Sequence, residues 1–333
     1  MNAGFLFARQ SRLLGAVLAV LVGCASTLFS SQIIAQAPAA PAAPAKATTT
    51  AEFPAELVKW KPRPGNPVFT AEGPGHWDVK IRERGWIIRN DEGYRLWFTG
   101  YDGTHEGIKQ LGYATSPDGL AWTRSPKNPL VSDHWVEDVM IVQQNDMYYM
   151  FAEGKGDNHS VMLTSKDGID WKWEGPLDVR AADGKASAKR PCGTPTVWVE
   201  NGVWYLFYEW GDKGVWLATT KDSNTRVWKN LQDEAVLTLG PSEYDREMIA
   251  MNQVIKYRGA YYAIYHGSGS GDVVPRTWNT NIARSVDLVH WKKYSGNPIV
   301  DGDKSSGILV PVDGGFRLYT MHDQVDVFES AVK

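Results

Sequence analysis

From about residue 57 onward the chain consists of short apolar runs broken by polar or glycine-containing turns, and one phrase recurs five times. It reads IIRNDEGYRLWFTG at 87–100, IVQQNDMYYMFAEG at 141–154, VWVENGVWYLFYEWG at 197–211, VIKYRGAYYAIYHG at 254–267 and ILVPVDGGFRLYTMH at 308–322. Each phrase holds two runs rich in aromatic and β-branched residues around a tight turn, which is the pattern of a β-hairpin. A second phrase follows the first four: GYATSPDGLAWTR (112–124), MLTSKDGIDWKW (162–173), LATTKDSNTRVWKN (217–230) and IARSVDLVHWKK (282–293). Here an apolar strand leads through an Asp-containing turn, which tolerates positive φ, to a Trp on the next strand. Joining the two phrases gives four strands per unit.

Such periodicity predicts a radial repeat, the five-bladed β-propeller, in which four-stranded sheets surround a channel and hide most of their edges. The marker tryptophans, Trp60, Trp122, Trp171, Trp228 and Trp291, recur about every 58 residues. The first of them precedes any complete unit. WKPRPGNPVF (60–69) shares its skeleton with WTRSPKNPLV (122–131) and WKKYSGNPIV (291–300), while the last unit, from Ile308 to Glu329, supplies only three strands. Residues 57–69 are therefore expected to provide the missing outermost strand and close the ring. An open β-sandwich would not explain a displaced first marker.

The first fifty residues differ in kind. Arg9 and Arg12 flank an apolar stretch from Leu13 to Val22, too short for an anchor, and Leu21-Val22-Gly23-Cys24 has the form of a bacterial lipobox. We expect an export signal over 1–24, with Cys24 as a lipid attachment point; the alternative is a simple secretory signal cut nearer Ala37. An Ala/Pro/Thr-rich tether over 25–54 precedes the propeller domain at 55–333. The expected location is outside the cytoplasm: periplasmic, extracellular or on the outer membrane. Membrane association is expected only through Cys24, and the domain is expected to be a monomer.

Composition narrows the chemistry. The 333 residues carry 35 basic and 38 acidic groups, a formal net charge of −3, with no long basic run, which argues against nucleic acid as a partner. The 15 tryptophans and 14 tyrosines suit a carbohydrate partner as well as a plain all-β core. Trp77, Trp135, Trp210 and Trp278 fall in or beside predicted loops, where an indole face offers a platform for a sugar ring. Cys192 is the one cysteine of the folded part, and neither a disulfide framework nor a zinc site is legible.

In a propeller the residues leading into each first strand and those ending each second strand meet at one face. Aligning the second strands places Gly100, Glu153, Glu209, His266 and His322 in one ring. Leading into the first strands are Asp78, Glu137 with Asp138, Thr194, and Asp245 with Glu247. Carboxylates converging from several blades are the raw material of glycoside hydrolysis, where one stays ionised and another is held protonated to donate to the leaving oxygen.

At these residues the chain resembles the five-bladed glycoside hydrolases, the superfamily of family 43 arabinanases and xylosidases, of invertases and levansucrases, and of the family 117 anhydrogalactosidases. The resemblance spans about residues 55–333 through short motifs. It implies a hydrolase acting on a plant or algal glycan, with Asp78 as base or nucleophile and Asp138 as stabiliser of the transition state. It departs at the third blade, where CGTPT (192–196) puts Gly193 or Thr194 in place of the usual acidic residue. Glu247 is the favoured substitute acid, with Glu209 and His266 behind it. Trp77, Glu137, Glu209, His266, His322 and Arg190 are expected to contact substrate, and Lys189 and Arg246 flank the same entrances. No cofactor is required by this reading. The resemblance leaves room for a calcium or other ion in the channel, beside His322. A catalytically silent carbohydrate-binding propeller and a transferase or phosphorylase on the same scaffold are the alternatives, and stereochemistry and sugar identity stay open.

Overall fold

The computed structural model describes residues 52–332, apart from 157–159, 188–192, 222–225 and 271–276. The expected signal, Cys24 and most of the tether therefore lie outside the described residues, as do Lys189, Arg190 and Cys192. Among the described residues no helix is long and apolar enough to cross a membrane.

Five antiparallel sheets form the five blades of a β-propeller. Blade 1 runs through Lys80–Asn90, Gly93–Tyr101, Gln110–Ser116 and Thr123–Arg124, and blade 2 through Glu137–Gln144, Met147–Glu153, Ser160–Ser165 and Lys172–Pro176. Blade 3 comprises Thr196–Glu200, Val203–Glu209, Gly214–Thr220 and Val227–Asn230. It is widened by Asp178–Arg180 on its outer edge and by Leu237–Thr238 beside Gly214. Blade 4 is built from Met248–Tyr257, Ala260–Ser268, Asn279–Ser285 and Lys292–Lys293. The first strand of each blade touches the first strands of the two neighbouring blades, and the fifth returns to the first. These inner strands wall the channel.

Blade 5 closes as the repeat predicts. Ile308–Val312, Gly315–Met321 and Val325–Ser330 take Trp60–Pro62 as their fourth strand, in the register Trp60 to Ser330, Lys61 to Glu329 and Pro62 to Phe328. The repeated Asn-Pro phrase has a specific job here. The Asn66 side chain accepts from the Val327 N–H at 2.8 Å and donates to the same residue's carbonyl at 2.9 Å, as a backbone neighbour would. Asn128 holds Tyr113 in blade 1, and Asn297 holds Ile282 in blade 4, in the same two-point fashion. A short outer strand thus gains the pairing its own length cannot supply.

The marker tryptophans pack one blade on the next. Trp228 meets Phe151 of blade 2 at 6.0 Å, and Trp291 meets Phe207 of blade 3 at 5.9 Å, both edge to face. Ser116–Asp118, Ser165–Asp167 and Ser285–Asp287 repeat one turn: each Asp Oδ1 accepts two backbone N–H bonds, and each Ser Oγ a third. These caps satisfy turn amides that no strand can reach.

Candidate active site

Where the inner strands meet one face of the ring, their regular pairing breaks. Register shifts fall between Arg82 and Trp86, between Glu137 and Met140, and between Met251 and Gln253. Glu83, Asp138, Thr194 and Ser306 all sit at these strand heads with φ of 53°, 50°, 50° and 52°. Positive φ costs a residue with a side chain of order 1–3 kcal/mol, and bulges of this kind re-aim side chains beside active sites. The repetition in four blades makes a ring of redirected residues at the channel mouth.

Arg84 fills the channel below that ring. Its side chain is fully buried, and its guanidinium donates to the backbone carbonyls of Asp138 (2.5 Å), Pro195 (2.6 Å) and Asn252 (2.8 Å) and to Thr196 Oγ1 (2.7 Å). Four blades are held by one cation. Burial lowers its pKa to about 10, against the pull of Asp138 and Glu153, so it remains charged at neutral pH. The ion that the resemblance allowed does not fit: a guanidinium already holds this place, and no group of three His, Cys, Asp or Glu among the described residues is arranged to bind a metal. His322 instead has Nδ1 3.3 Å from Ser305 Oγ and 3.8 Å from Glu83 Oε2.

Above Arg84 lies an acidic cluster from three blades: Glu83, Glu137, Asp138, Glu153 and Glu209. Glu137 is ion-paired with Arg82 and accepts the Trp135 indole N–H at 2.9 Å. Asp138 Oδ1 accepts from the Arg84 N–H at 3.2 Å. Burial, reinforced by the charges of Glu83 and Glu137, lifts Asp138 to about 8. Glu209 accepts N–H bonds from Gly193 and Asp212, both at 2.6 Å, and burial with the nearby Asp212 charge raises it to about 8 as well. Glu153 is pushed well above the ordinary range by burial and then by Asp138, Glu137, Glu209 and Glu83. Acids so close cannot all ionise, and protons are retained among them at neutral pH.

The tightest approach spans blades 2 and 3. A Cβ placed on Gly193 would lie 2.3 Å from Glu153 Oε2 and 2.7 Å from Glu209 Oε1, so those oxygens are at most about 5 Å apart. His266, from blade 4, has Nδ1 2.9 Å from Asn252 Oδ1 and its ring edge-on to Trp278. Burial, then Arg84 and His322, lower its pKa to about 3. It is neutral at working pH and unsuited to be the acid.

The expected site residues divide accordingly. Glu137, Asp138 and Glu209 share the cluster, with His266 and His322 nearby. Asp78, expected as base or nucleophile, does not join them. Its buried carboxylate is salt-bridged to Arg124 Nη2 at 2.9 Å, and its charged neighbours are Arg124 and Glu72. Asp245 pairs with Lys293 in the same place in blade 4, so the Asp78–Arg124 pair is a repeated strut from inner strand to outermost strand. The blade 1 counterpart of Asp138 is Glu83, displaced by one residue because the bulge is longer there. Glu247, the expected acid, is half-exposed beside Arg246, 3.3 Å away, and is not part of the cluster. Trp77 is partly buried, packed on Phe98 and over Gly100. Arg190 lies outside the described residues.

Glu83, Arg84 and the pairing of Glu153 with Glu209 were the features missed. Charged residues inside an otherwise apolar strand, in KIRERGW (80–86), are the signal that marks the first two.

The five-bladed ring is a fold shared with carbohydrate-active enzymes. It is shared with a Bacteroides thetaiotaomicron protein provisionally assigned as a glycosidase, at TM-score 0.67 and 18% identity, over 85% of this chain and 100% of that one. A β-1,2-mannobiose phosphorylase from Listeria innocua superposes at TM-score 0.61 with 14% identity, covering 81% and 95%. No family model matches the sequence. Two uncharacterized proteins from separate strains of Mycobacterium tuberculosis are 24% and 23% identical over 228 residues, 62% of this chain and 74% of theirs.

Proposed function

We propose that the protein is an exported enzyme that hydrolyses a glycosidic bond at the mouth of the propeller channel. The observation that carries this reading is the meeting of Glu153 and Glu209 across Gly193, within a cluster where burial and crowding raise Asp138, Glu153 and Glu209. Glu153, the acid neighboured by four other carboxyls, donates the proton to the leaving oxygen. Glu209, whose two backbone N–H bonds favour its anion, gives up its proton as pH approaches about 8 and in that form acts as the negative partner at the sugar carbon. Asp138, hydrogen-bonded to the Arg84 N–H and protonated to about 8, adds a neutral hydrogen-bonding group beside Glu153. Carboxyl oxygens at most about 5 Å apart stand on the side of the closer spacing of retaining glycosidases, about 5–5.5 Å, and short of the inverting spacing of about 6.5–9.5 Å. The fold likeness to glycosidases supports the reaction class, and an oligosaccharide of plant, algal or fungal origin is the substrate class.

Hydrolysis is favoured over phosphorolysis because Arg82, Arg84 and Lys109, the described cations nearest the acids, are engaged with carboxylates, carbonyls or aromatic rings. The test is a panel of 4-nitrophenyl glycosides and of arabino-, xylo-, fructo-, galacto- and β-1,2-manno-oligosaccharides, each with and without inorganic phosphate. Release of reducing sugar without phosphate, lost by about 100-fold or more in Glu153→Gln and Glu209→Gln, supports the proposal. Binding without turnover would make the protein a carbohydrate-binding propeller, and turnover only with phosphate would make it a phosphorylase.

A further inference from the structure

Directly beside Glu153, the same face of blade 2 carries a groove of about 380 Å³ whose lining includes Ile108, His134, Trp135, Lys155 and Trp173. Gly154, the residue after Glu153, is part of its wall. The His134 and Trp173 rings lie together with centroids 4.1 Å apart and planes at 30°, a preassembled aromatic surface. Trp135 is fixed at two points. Its N–H is bonded to Glu137, and the Lys109 ammonium lies 4.4 Å from its ring, held in place by the Gly107 carbonyl at 2.9 Å. Ile108, 38% exposed, adds an aliphatic surface to the wall.

Aromatic and aliphatic walls with Lys155 and Asp133 among the lining residues form an amphipathic trough. A sugar ring has the matching character, with an apolar face of C–H groups and a rim of hydroxyls. The size is at the lower end of small-ligand sites, about 300–1,000 Å³, which suits one or two rings. The Trp135 to Glu137 bond ties a wall of the groove to the acidic cluster.

We infer that this groove binds a sugar unit of the substrate beyond the bond being cleaved, so that the enzyme acts on oligosaccharides in preference to single glycosides. This rests on the reading of the carboxylate cluster as catalytic. Trp173 and His134 are binding residues in this scheme, outside the reacting atoms.

Kinetics on chain length tests it. The probes are the 4-nitrophenyl glycoside that the wild type cleaves and oligosaccharides of two to five units of the same sugar. Wild-type kcat/KM is expected to rise about tenfold or more from the glycoside to the longer chains. In Trp173→Ala and His134→Ala the loss on the longer chains should exceed the loss on the glycoside by about tenfold, mostly in KM. A wild-type rate independent of length, or an equal loss on both probes, overturns the inference while leaving hydrolysis intact. Should the wild type cleave nothing, titration of tryptophan fluorescence with a plant, algal and fungal oligosaccharide panel still decides. Binding weakened in both variants supports the groove, and no binding, or binding unchanged by them, refutes it.

Discussion

Glu153 of blade 2 and Glu209 of blade 3 close on the α-carbon of Gly193 so tightly that even a methyl group there would lie 2.3 Å and 2.7 Å from their oxygens. The five-bladed hydrolases that the chain resembles carry their acid at this third-blade position. Here no side chain fits, because two acids from the ends of second strands already hold the space. Gly193→Ala is therefore expected to push both carboxylates apart and to reduce kcat by about 100-fold, as displacements near 1 Å do. Circular dichroism should show a folded protein. Full activity in that variant would remove the pair from the chemistry.

Asp78 and Arg124 make a different kind of pair, a strut inside one blade. Removing the cation in Arg124→Ala leaves a buried carboxylate unbalanced and should cost about 3–5 kcal/mol in urea unfolding. Asp78→Asn is expected to cost less, since Arg124 is part-exposed and retains the Thr70 carbonyl. At temperatures where both variants are folded, kcat should stay within about threefold of wild type. A collapse of kcat in folded Asp78→Asn would return Asp78 to the catalytic role.

Stability should depend on pH with a definite sign. The carboxyls of Asp138 and Glu209 hold their protons to about 8 when folded, against ordinary values of 3.8 and 4.5. Between those values the folded chain binds more protons, so their contribution is complete at the acid end and is lost as pH rises through about 8. His266 opposes them below its ordinary 6.5, since its folded value is about 3 and its contribution is lost on acidification. Two or more carboxyls outweigh one imidazole, and the melting temperature should be lower at pH 8.5 than at pH 5.5. Asp138→Asn and Glu209→Gln should flatten that slope; a profile that is level in the wild type, or unchanged in the variants, contradicts the placement of these acids.

Arg84 is expected to matter to folding first. Arg84→Met strips donors from the carbonyls of Asp138, Pro195 and Asn252 in a buried channel, at about 1–3 kcal/mol for each group left unpaired. A loss of at least about 3 kcal/mol is the expected result, by chemical or thermal unfolding. A near-neutral Arg84→Met would mean the channel is filled in another way.

The architecture was legible because every blade repeats its turns and tryptophans, and the displaced Trp60 announced how the ring closes. The site was legible only in part. Glu137, Asp138 and Glu209 could be aligned from hairpin to hairpin, but the longer bulge after Arg82 shifts blade 1 by one residue and hid Glu83. Asp78 stands out in its place, because its neighbourhood fits in one dimension while its partner, Arg124, lies 46 residues away. That pair recurs as Asp245 with Lys293 in blade 4, a sparser trace than the packing pattern that marks every blade.

The strand at Trp60–Pro62 lies beside Val325–Ser330, and the Ala331 N–H reaches the Lys59 carbonyl at 2.8 Å. A ribosome releases Trp60 among the earliest parts of this domain and Ser330 among the last. Four blades can assemble while translation continues, yet the circle locks only after nearly the whole domain has emerged, which keeps the outer edge of the final sheet open for the longest part of the protein's birth.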